Sequence, residues 1–394
     1  MSVTATAPAA ARVDVQRLCA TAANPPPADF VEHYLQAISD EVLAARSPAA
    51  LAALIGQHAA LAAVRRDEQP ALAITPPAAA QGLAALQTVM PDMPFLVDSI
   101  SQRLRETGAG IDWSVHPILR LVRDAEGRLT ACKPATASEG RAESLIHIEF
   151  EALADESAYA QLEDSVRQTL IDVSTAVADY SAMRAGVTQL QAALGSVPPG
   201  ARPEDFAEAQ AFLSWLDERH FTFLGLAESR VEGSGPDSTL HTEATKGLGL
   251  LRAGSRLSAA DELIAPQEEL DKYAQDSAAT ARLVVITKGN VRSSVHHAEY
   301  LDVISIKRFA ADGKLAGTVR LIGLFTAEAY HARPTEIPIV RRKVAEVLAR
   351  AQLPAESHSG KNLREILQTW PRDELFQTGE QELYQATLSV RALR

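Results

Sequence analysis

Apolar residues that recur every three or four positions predict helices over residues 28–70. A Ser-Pro pair at 47–48 is typical of a helix N-terminus, with proline in the first turn. Residues 1–27 are expected to be a flexible tail, because the three consecutive prolines at 25–27 cannot continue a helix. The residues that carry the helical pattern are Phe30, Tyr34, Ile38, Val42, Leu51, Leu54, Ile55 and Leu61.

Strand and helix patterns alternate over residues 71–195. Residues 144–150 alternate strictly between polar and apolar, which is typical of a half-buried strand. The apolar residues of 95–107 share one helical face, and Gly108 follows where helices commonly end. Strands are predicted over 83–90, 111–122 and 128–132, with helices over 95–107 and 155–194. A further strand is predicted over 71–75 or 144–150. This order predicts an α+β fold, a ferredoxin-like sandwich over residues 71–195.

A proline- and glycine-rich stretch predicts a linker at residues 196–203. The Asp-Gly pair within 311–314 predicts a hairpin, because glycine readily adopts the positive φ that tight turns require. Strands are predicted over 221–229, 282–287, 301–309 and 316–325. We therefore expect a second domain with an antiparallel sheet over residues 204–330, in which 233–277 stay unassigned. A C-terminal helical segment is expected over 331–394.

The charge balance narrows the range of partners. The chain has 38 Lys and Arg against 50 Asp and Glu, a net charge of −12, so no nucleic-acid partner is expected. Its two cysteines, Cys19 and Cys132, are too few for a disulfide scaffold or a zinc ribbon, which favours the cytoplasm. No apolar stretch approaches the roughly 18 residues that a membrane span needs, so no membrane partner is expected.

Motifs for catalysis and for cofactors are weak. Residues 246–252 begin like a dinucleotide fingerprint, but Arg252 stands where the third glycine belongs. His296 and His297 have no ligand partners at metal-site spacing. His116 and His147 lie among apolar residues of strands, as packing histidines do. We therefore expect no catalytic residue, no metal site and no cofactor site. A stand-alone enzyme with its chemistry on the His296 loop is a weaker interpretation than the two non-catalytic ones given below.

The segment from Asp92 to Phe95 is the best candidate for a binding site. It leads from a strand into a helix, whose N–H groups and positive dipole end favour an anion. Asp92 either caps that helix or binds the amine of a small molecule whose carboxylate meets the N–H groups. The candidate effector-binding residues are Asp92, Met93, Pro94, Phe95, Asp98, Gly108, Gly110 and Ile111.

Two levels of family resemblance follow from these residues. Asp-Met-Pro-Phe-Leu at 92–96, followed by Gly-Ala-Gly-Ile at 108–111, resembles the signature of ACT domains, which bind amino acids and regulate metabolic enzymes. Phe95 stands where ACT domains usually have a glycine that lets a ligand approach the backbone. Over residues 28–383 the chain resembles the N-terminal part of the large multidomain bacterial NAD-dependent glutamate dehydrogenases. The segments that carry this are MPFLVDSI, VHPILRLVRD, ESLIHIEF, FLSWLDERHFTFLG, VHHAEYLDVISIKRF and PRDELFQ.

The resemblance implies an ACT-like domain at residues 71–195, a PAS-like domain at 204–330 and a catalytic domain far downstream. It implies a non-catalytic regulatory and assembly fragment of an enzyme that oxidatively deaminates L-glutamate to 2-oxoglutarate, with NAD bound outside this fragment. The expected partners are other subunits and domains of the same homo-oligomeric enzyme, and an amino-acid effector. The alternative is a purely architectural oligomerisation module without a small ligand. Phe95 favours the architectural module, whereas Asp92 and Asp98 favour the sensor.

Overall fold

In the computed structural model the chain forms two compact units. The first comprises Met1–Ser174 and Ser294–Ala298, and the second comprises Thr175–Ser293 and Glu299–Arg394. The division lies inside a helix, whereas the sequence predicted a linker at 196–203, and that segment belongs to the second unit. The structure describes residues 8–66, 69–77, 82–233, 239–242, 246–255, 257, 283–353 and 357–392.

Short helices open the first unit. They are α1 (Pro8–Ala20), α2 (Ala28–Ala37), α3 (Asp40–Ala45) and α4 (Pro48–Ala62). The Ser47 side chain accepts a hydrogen bond from the Ala50 N–H, so α4 begins at a serine cap as the Ser-Pro pair predicts. Helix α1 differs from the flexible tail expected over 1–27, because Val15 and Cys19, one helical turn apart, are buried in the core. Its alanine-rich sequence carries too few large apolar side chains to signal this.

An antiparallel sheet forms the centre of the first unit. Its elements are β1 (Ala71–Thr75), β2 (Leu83–Pro91), α5 (Leu96–Glu106), β3 (Ile111–Val115), β4 (Ile118–Arg123), β5 (Leu129–Lys133) and β6 (Arg141–Glu151), in the strand order β1–β2–β6–β4–β5, with β3 also paired to β6. Strand β2 and the β3–β4 segment both run antiparallel to β6, which lies between them. The chain crosses from β2 to β3 through α5, which is the split βαβ unit of ferredoxin-like folds. The α+β class is confirmed, and the arrangement is consistent with the predicted sandwich.

Helix α6 (Glu156–Ala193) is 38 residues long and contributes to both units. Its residues as far as Ser174 belong to the first unit, and those from Thr175 onward belong to the second. Buried apolar residues occur along its whole length, from Leu162 to Leu190. The helical stretch predicted over 155–194 is therefore one helix.

The second unit is built on another antiparallel sheet. Its elements are α7 (Pro203–Trp215), β7 (Phe221–Glu232), β8 (Thr239–Thr242), β9 (Leu248–Gly249), β10 (Val284–Arg292), β11 (Tyr300–Phe309) and β12 (Leu315–Phe325). The strand order is β10–β11–β12–β7–β8, and β9 pairs with β7. The predicted hairpin joins β11 to β12, with Gly313 at φ 81° and an Ala310 N–H to Lys314 carbonyl bond of 2.8 Å.

C-terminal helices pack against this sheet within the same unit. They are α8 (Ala327–His331), α9 (Val340–Ala351), α10 (His358–Thr369), α11 (Arg372–Gln377) and α12 (Glu380–Ala392). The Phe376 ring of α11 stacks on Phe325 of β12, with ring centroids 4.3 Å apart. The buried Lys343 ammonium of α9 donates to the carbonyls of Leu375, Phe376 and Thr378 at the end of α11. Lys343 thus satisfies carbonyls that have no partner within α11.

A fully buried carboxylate joins helix and sheet in the first unit. Glu143 of β6 accepts two hydrogen bonds from Arg65, just after α4, and two from Arg123 of β4, at 2.8–3.1 Å. Burial alone would raise the pKa of Glu143, but the bonds from Arg123 and Arg65 outweigh burial and lower it. Glu143 is therefore ionised at neutral pH.

A buried histidine lies between α2, α4 and β6. His58 Nδ1 is 2.8 Å from the Tyr34 hydroxyl, and His58 Nε2 is 3.2 Å from the Ile146 carbonyl oxygen. Since a carbonyl only accepts, Nε2 carries the proton and Nδ1 accepts from Tyr34. Burial, with a smaller contribution from His147, lowers the pKa of His58 to about 3, so its ring is neutral.

Replacing His58 with Gln should flatten the pH dependence of stability. The unfolded chain binds a proton at His58 near pH 6.5, whereas the fold binds it only near pH 3. The free energy of unfolding should therefore fall as the pH drops below 6.5, by at most about 1.4 kcal/mol per pH unit from this group. Urea unfolding of the native chain and H58Q at about pH 7 and about pH 5 measures the difference.

The control for this experiment is Gln57→Ala, which changes the exposed neighbour of His58 on α4 without removing a titrating group, and it should keep the native slope. H58Q should retain a residual slope from His147, whose pKa is also lowered by burial. Identical slopes in H58Q and the native chain would contradict the assignment.

Candidate functional site

The loop between β2 and α5 attaches Asp92 to the neighbouring strand β6. The Asp92 N–H donates to the Ala142 carbonyl at 2.9 Å, and the Ser144 hydroxyl donates to Asp92 Oδ1 at 2.5 Å. Ser144 has one hydrogen and gives it to Asp92, so it accepts from His116 Nε2, 2.9 Å away. Burial lowers the pKa of His116, and Asp92 opposes this. Asp92 does not cap α5, so that alternative is wrong.

The residue at the N-cap of α5 is Phe95, and its backbone is strained. Phe95 has φ 74° and ψ −3°, in the left-handed region, and its side chain makes no capping bond. Glycine occupies this region at no steric cost, whereas a bulky residue is a genuine outlier there. The loop therefore has, at a half-buried phenylalanine, a backbone conformation that glycine adopts freely.

His296 covers this loop within the first unit. Its ring centroid lies 5.0 Å from that of Phe95, and its ring Nδ1 is 3.2 Å from Asp98 Oδ2. The backbone N–H of His296 donates to the Oγ of the buried Ser99 at 2.9 Å. His296 also has a positive φ, 69°. Burial and the adjacent His297 lower the pKa of His296, and Asp98 opposes this. Sequence reasoning missed this contact, because 198 residues separate His296 from Asp98.

The other half of the predicted site lies at the far end of β6. Gly110 donates its N–H to Glu151 Oε2 at 2.9 Å, and Ile111 pairs with Phe150. Pro91, directly before the loop, pairs with Glu143 instead. Glu143 and Phe150 are seven residue steps apart along β6, which corresponds to about 23 Å. A single chain therefore does not bring Asp92–Phe95 and Gly108–Ile111 together.

The loop has groups that can bind a small molecule, but its serine, histidine and aspartate do not follow the order of a nucleophilic triad. Asp92 and Asp98 are exposed carboxylates that can take an ammonium group, and the first N–H groups of α5 have no partner within the helix. In a nucleophilic triad the histidine lies between serine and carboxylate. Here Ser144 lies between Asp92 and His116, so the histidine does not accept the hydroxyl proton as it does in a triad.

The glycine-rich segment 246–252 has a structural role. The Gly249 N–H donates to Asp179 Oδ2 of α6 at 2.8 Å, and Arg252 Nε donates to the same oxygen at 2.9 Å. A Cβ on Gly249 would lie 2.3 Å from the Leu224 carbonyl oxygen, and its φ is 59°. The glycine thus allows a close approach to β7, and the carboxylate of Asp179 accepts from the Gly249 N–H and the Arg252 side chain.

The described part of the chain contains no cluster of metal ligands and no membrane-spanning helix. Within it, no group of three or more His, Cys, Asp or Glu residues can hold a metal ion. None of the helices in the described ranges is long and apolar enough to cross a bilayer. The buried Cys132 is a free thiol whose pKa is raised to about 12 by burial, with Asp29 adding to the shift, so it is not a nucleophile at neutral pH.

Two family models match the chain. Residues 30–166, which include the Asp92–Phe95 loop, match the model "Glutamate dehydrogenase, ACT1 domain". Residues 337–394, which include α9 to α12, match "Glutamate dehydrogenase, helical motif 1". Both models describe the family that the sequence segments resemble.

Curated relatives agree with these models. The chain is 32% identical over 309 residues to the NAD-specific glutamate dehydrogenase of Pseudomonas aeruginosa, which is 78% of this chain and 19% of that protein. The enzymes of the same name from Halomonas elongata and Mycobacterium tuberculosis are 33% and 28% identical, over 77% and 76% of the chain and 19% and 17% of their own lengths. The chain thus spans about a fifth of these relatives, and the predicted family resemblance is confirmed.

Replacing Gly249 with Ala should destabilise the second unit strongly. The substitution adds the cost of a positive φ, about 1–2 kcal/mol, to a clash with the Leu224 carbonyl, about 1–3 kcal/mol. Gly254→Ala is a matched control, because Gly254 has φ 83° but nothing within 4 Å of an added Cβ. Urea unfolding should show the larger loss for G249A, and equal losses would contradict the structural role.

Proposed function

The chain belongs, over the residues that match, to the family of bacterial NAD-specific glutamate dehydrogenases, and on this premise we propose that it is a regulatory and assembly region without a catalytic site. Its task is to couple an amino-acid effector or a subunit contact to a remote active site. The observation that carries this is the α5 loop, where the exposed Asp92 and Asp98 flank a residue held in a glycine-like conformation. Backbone strain of this kind concentrates at ligand sites and switch regions.

We infer that an effector is shared between two subunits. The Asp92–Asp98 segment supplies carboxylates for an ammonium group and the free N–H groups of α5 for a carboxylate. The Gly108–Ile111 turn lies about 23 Å away in the same chain, so only a second subunit can bring the two together. Gly110 already donates to Glu151, so the turn contributes its shape more than its donors. This proposal requires a homo-oligomer.

The second candidate function is a purely architectural one. The contact between Phe95 and His296 favours it, because the His296 ring occupies space above the loop where a ligand would approach. In this alternative the loop serves protein contacts only, and no amino acid binds. The two candidates differ in one measurable property, which is stabilisation by free amino acids.

NAD and catalysis are assigned to other parts of the enzyme. Asp179 accepts hydrogen bonds from Gly249 and Arg252 in segment 246–252, whose sequence begins like a dinucleotide fingerprint. This supports the proposal that the chain binds no nucleotide. The expected partners are the other subunits and domains of the same enzyme. That no cofactor binds here, and that the protein works in the cytoplasm, stay predictions.

The second unit is proposed to be PAS-like. Its sheet places the first strand, β7, beside the last, β12, in the middle, with β8 and β10 at the edges. Helix α7 shares a core with one face of this sheet. This supports a small sensor or assembly domain between the two matched family models, over the predicted range 204–330.

The purified chain should not reduce NAD in the presence of glutamate. The reason is that the segment most like a dinucleotide fingerprint is engaged by Asp179. Absorbance of NADH at neutral pH measures this, with a whole glutamate dehydrogenase of the family as the positive control. Turnover that a single substitution in this chain abolishes would overturn the non-catalytic assignment.

Replacing Asp92 with Asn should weaken amino-acid binding. A screen of free amino acids by thermal shift identifies the effector, and titration calorimetry then compares D92N with the native chain. We expect a loss of about 1.5–3 kcal/mol, the usual contribution of a charged hydrogen bond, while the amide oxygen of the substituted side chain can still accept from Ser144. Asp14→Asn on α1 is the control. If no amino acid binds, or D92N binds equally well, the architectural function stands instead.

A further inference from the structure

The second sheet contains a buried arginine, Arg320, for which no described residue supplies a counter-ion. Arg320 in the middle of β12 is 5% exposed, and it makes no hydrogen bond or ion pair with the residues that the structure describes. Its Nε is buried without an acceptor, and burial lowers the pKa of Arg320 to about 10. A buried charge is costly unless it is paired, so such a guanidinium points to an anion.

The position of Arg320 on the sheet defines its surroundings. Val319 and Leu321 belong to the core that packs against the helices, so alternation along the strand directs Arg320 to the opposite face. In register with it lie Ser305 on β11 and Ala227 on β7. Val285 of β10 is next in line, beyond Ser305. None of these neighbours, nor Thr318 and Ile322 on the same face of β12, is acidic.

Three other cations of this sheet have carboxylate partners. Arg308 meets Glu228 at 3.2 Å, Arg230 meets Glu232 at 2.9 Å and Lys288 meets Asp302 at 2.7 Å. These pairs show that the sheet does supply counter-ions to its cations. Arg320 is an exception, and it is also the most buried of these four residues.

The neighbours of Arg320 are least buried on the side of the edge strand β10. Ser305 and Val285 are only half-buried, as is Thr287 on β10, whereas Ala227 on the other side is buried. This is the side from which an anion would approach the guanidinium. The hydroxyls of Ser305 and Thr318 offer additional hydrogen bonds beside it.

We propose that Arg320 anchors a binding site for a small carboxylate anion, which lies over Ser305 and Val285. The planar guanidinium matches a planar carboxylate through two parallel N–H···O bonds. A single guanidinium charge is balanced by one negative charge, so a single carboxylate group suits the site better than a phosphate dianion. The site is independent of the α5 loop and of the function proposed for that loop.

Thermal unfolding in matched sodium salts tests this site. The native chain, R320M and R320K are compared in acetate, glutarate, phosphate and chloride at constant ionic strength. We expect acetate or glutarate to raise the midpoint of the native chain in a saturable way, R320M not to respond, and R320K to respond less. Arg230→Met, which removes an exposed and paired arginine, should respond like the native chain.

Two results overturn the proposal: equal responses of the native chain and R320M, or stabilisation by phosphate through Arg320 as large as that by the carboxylates. Should R320M fail to fold, the ¹³C resonance of labelled acetate is measured with the native chain and R320K. Broadening that R320K reduces several-fold supports the site. The same broadening with both proteins, or none with either, overturns it.

Discussion

The first unit depends on the buried carboxylate of Glu143. Its two arginine partners come from the end of α4 and from β4, so one side chain joins the helical layer to two strands of the sheet. Removing one partner of a buried ion pair typically costs about 3–5 kcal/mol, because the remaining charge is left without compensation. The next residue, Ser144, faces the other side of β6 and binds Asp92. Arg65 and Arg123 therefore fix the part of β6 to which the candidate loop is bonded.

Local patterns predicted the regular elements and failed where the decisive partner is distant in sequence. Most of the long strands, the α+β class and the hairpin at Gly313 follow from alternation and turn chemistry, which act within a few residues. The short strands β8 and β9 lie in a stretch that the pattern left unassigned, and the single strand predicted over 111–122 is two strands, β3 and β4. Asp92 looked like a helix cap from its neighbours, but its acceptor role is set by Ser144, 52 residues away. Helix α1 was missed because its burial depends on tertiary contacts that an alanine-rich sequence does not signal. The role of Gly249 likewise depends on Asp179 in α6.

Two strained residues contact each other at the candidate site, one in the Asp92–Phe95 loop and one that covers it. Phe95 and His296 both have positive φ, and each conformation costs of order 1–3 kcal/mol. Their surroundings must therefore hold them in place, through Ser99 and Asp98 in this case. A loop held in this way has a defined shape before any partner arrives, so less ordering entropy is lost on binding. This property suits a regulatory contact, whether the partner is a metabolite or another subunit.

The stacking of Phe376 on Phe325 bears on how such enzymes are divided into modules. The sequence family assigns residues 337–394 to a separate helical motif, yet Phe376 fills a core whose other half is the sheet, and Lys343 caps α11 from inside that core. A chain cut between β12 and α9 would leave the rings of Phe325 and Trp215 facing water and an unfinished core prone to aggregation. The helical motif of this chain thus shares its core with the sheet and should not fold when it is moved to another protein alone. Recombination within the family should preserve the sheet and this helical motif as one inherited block.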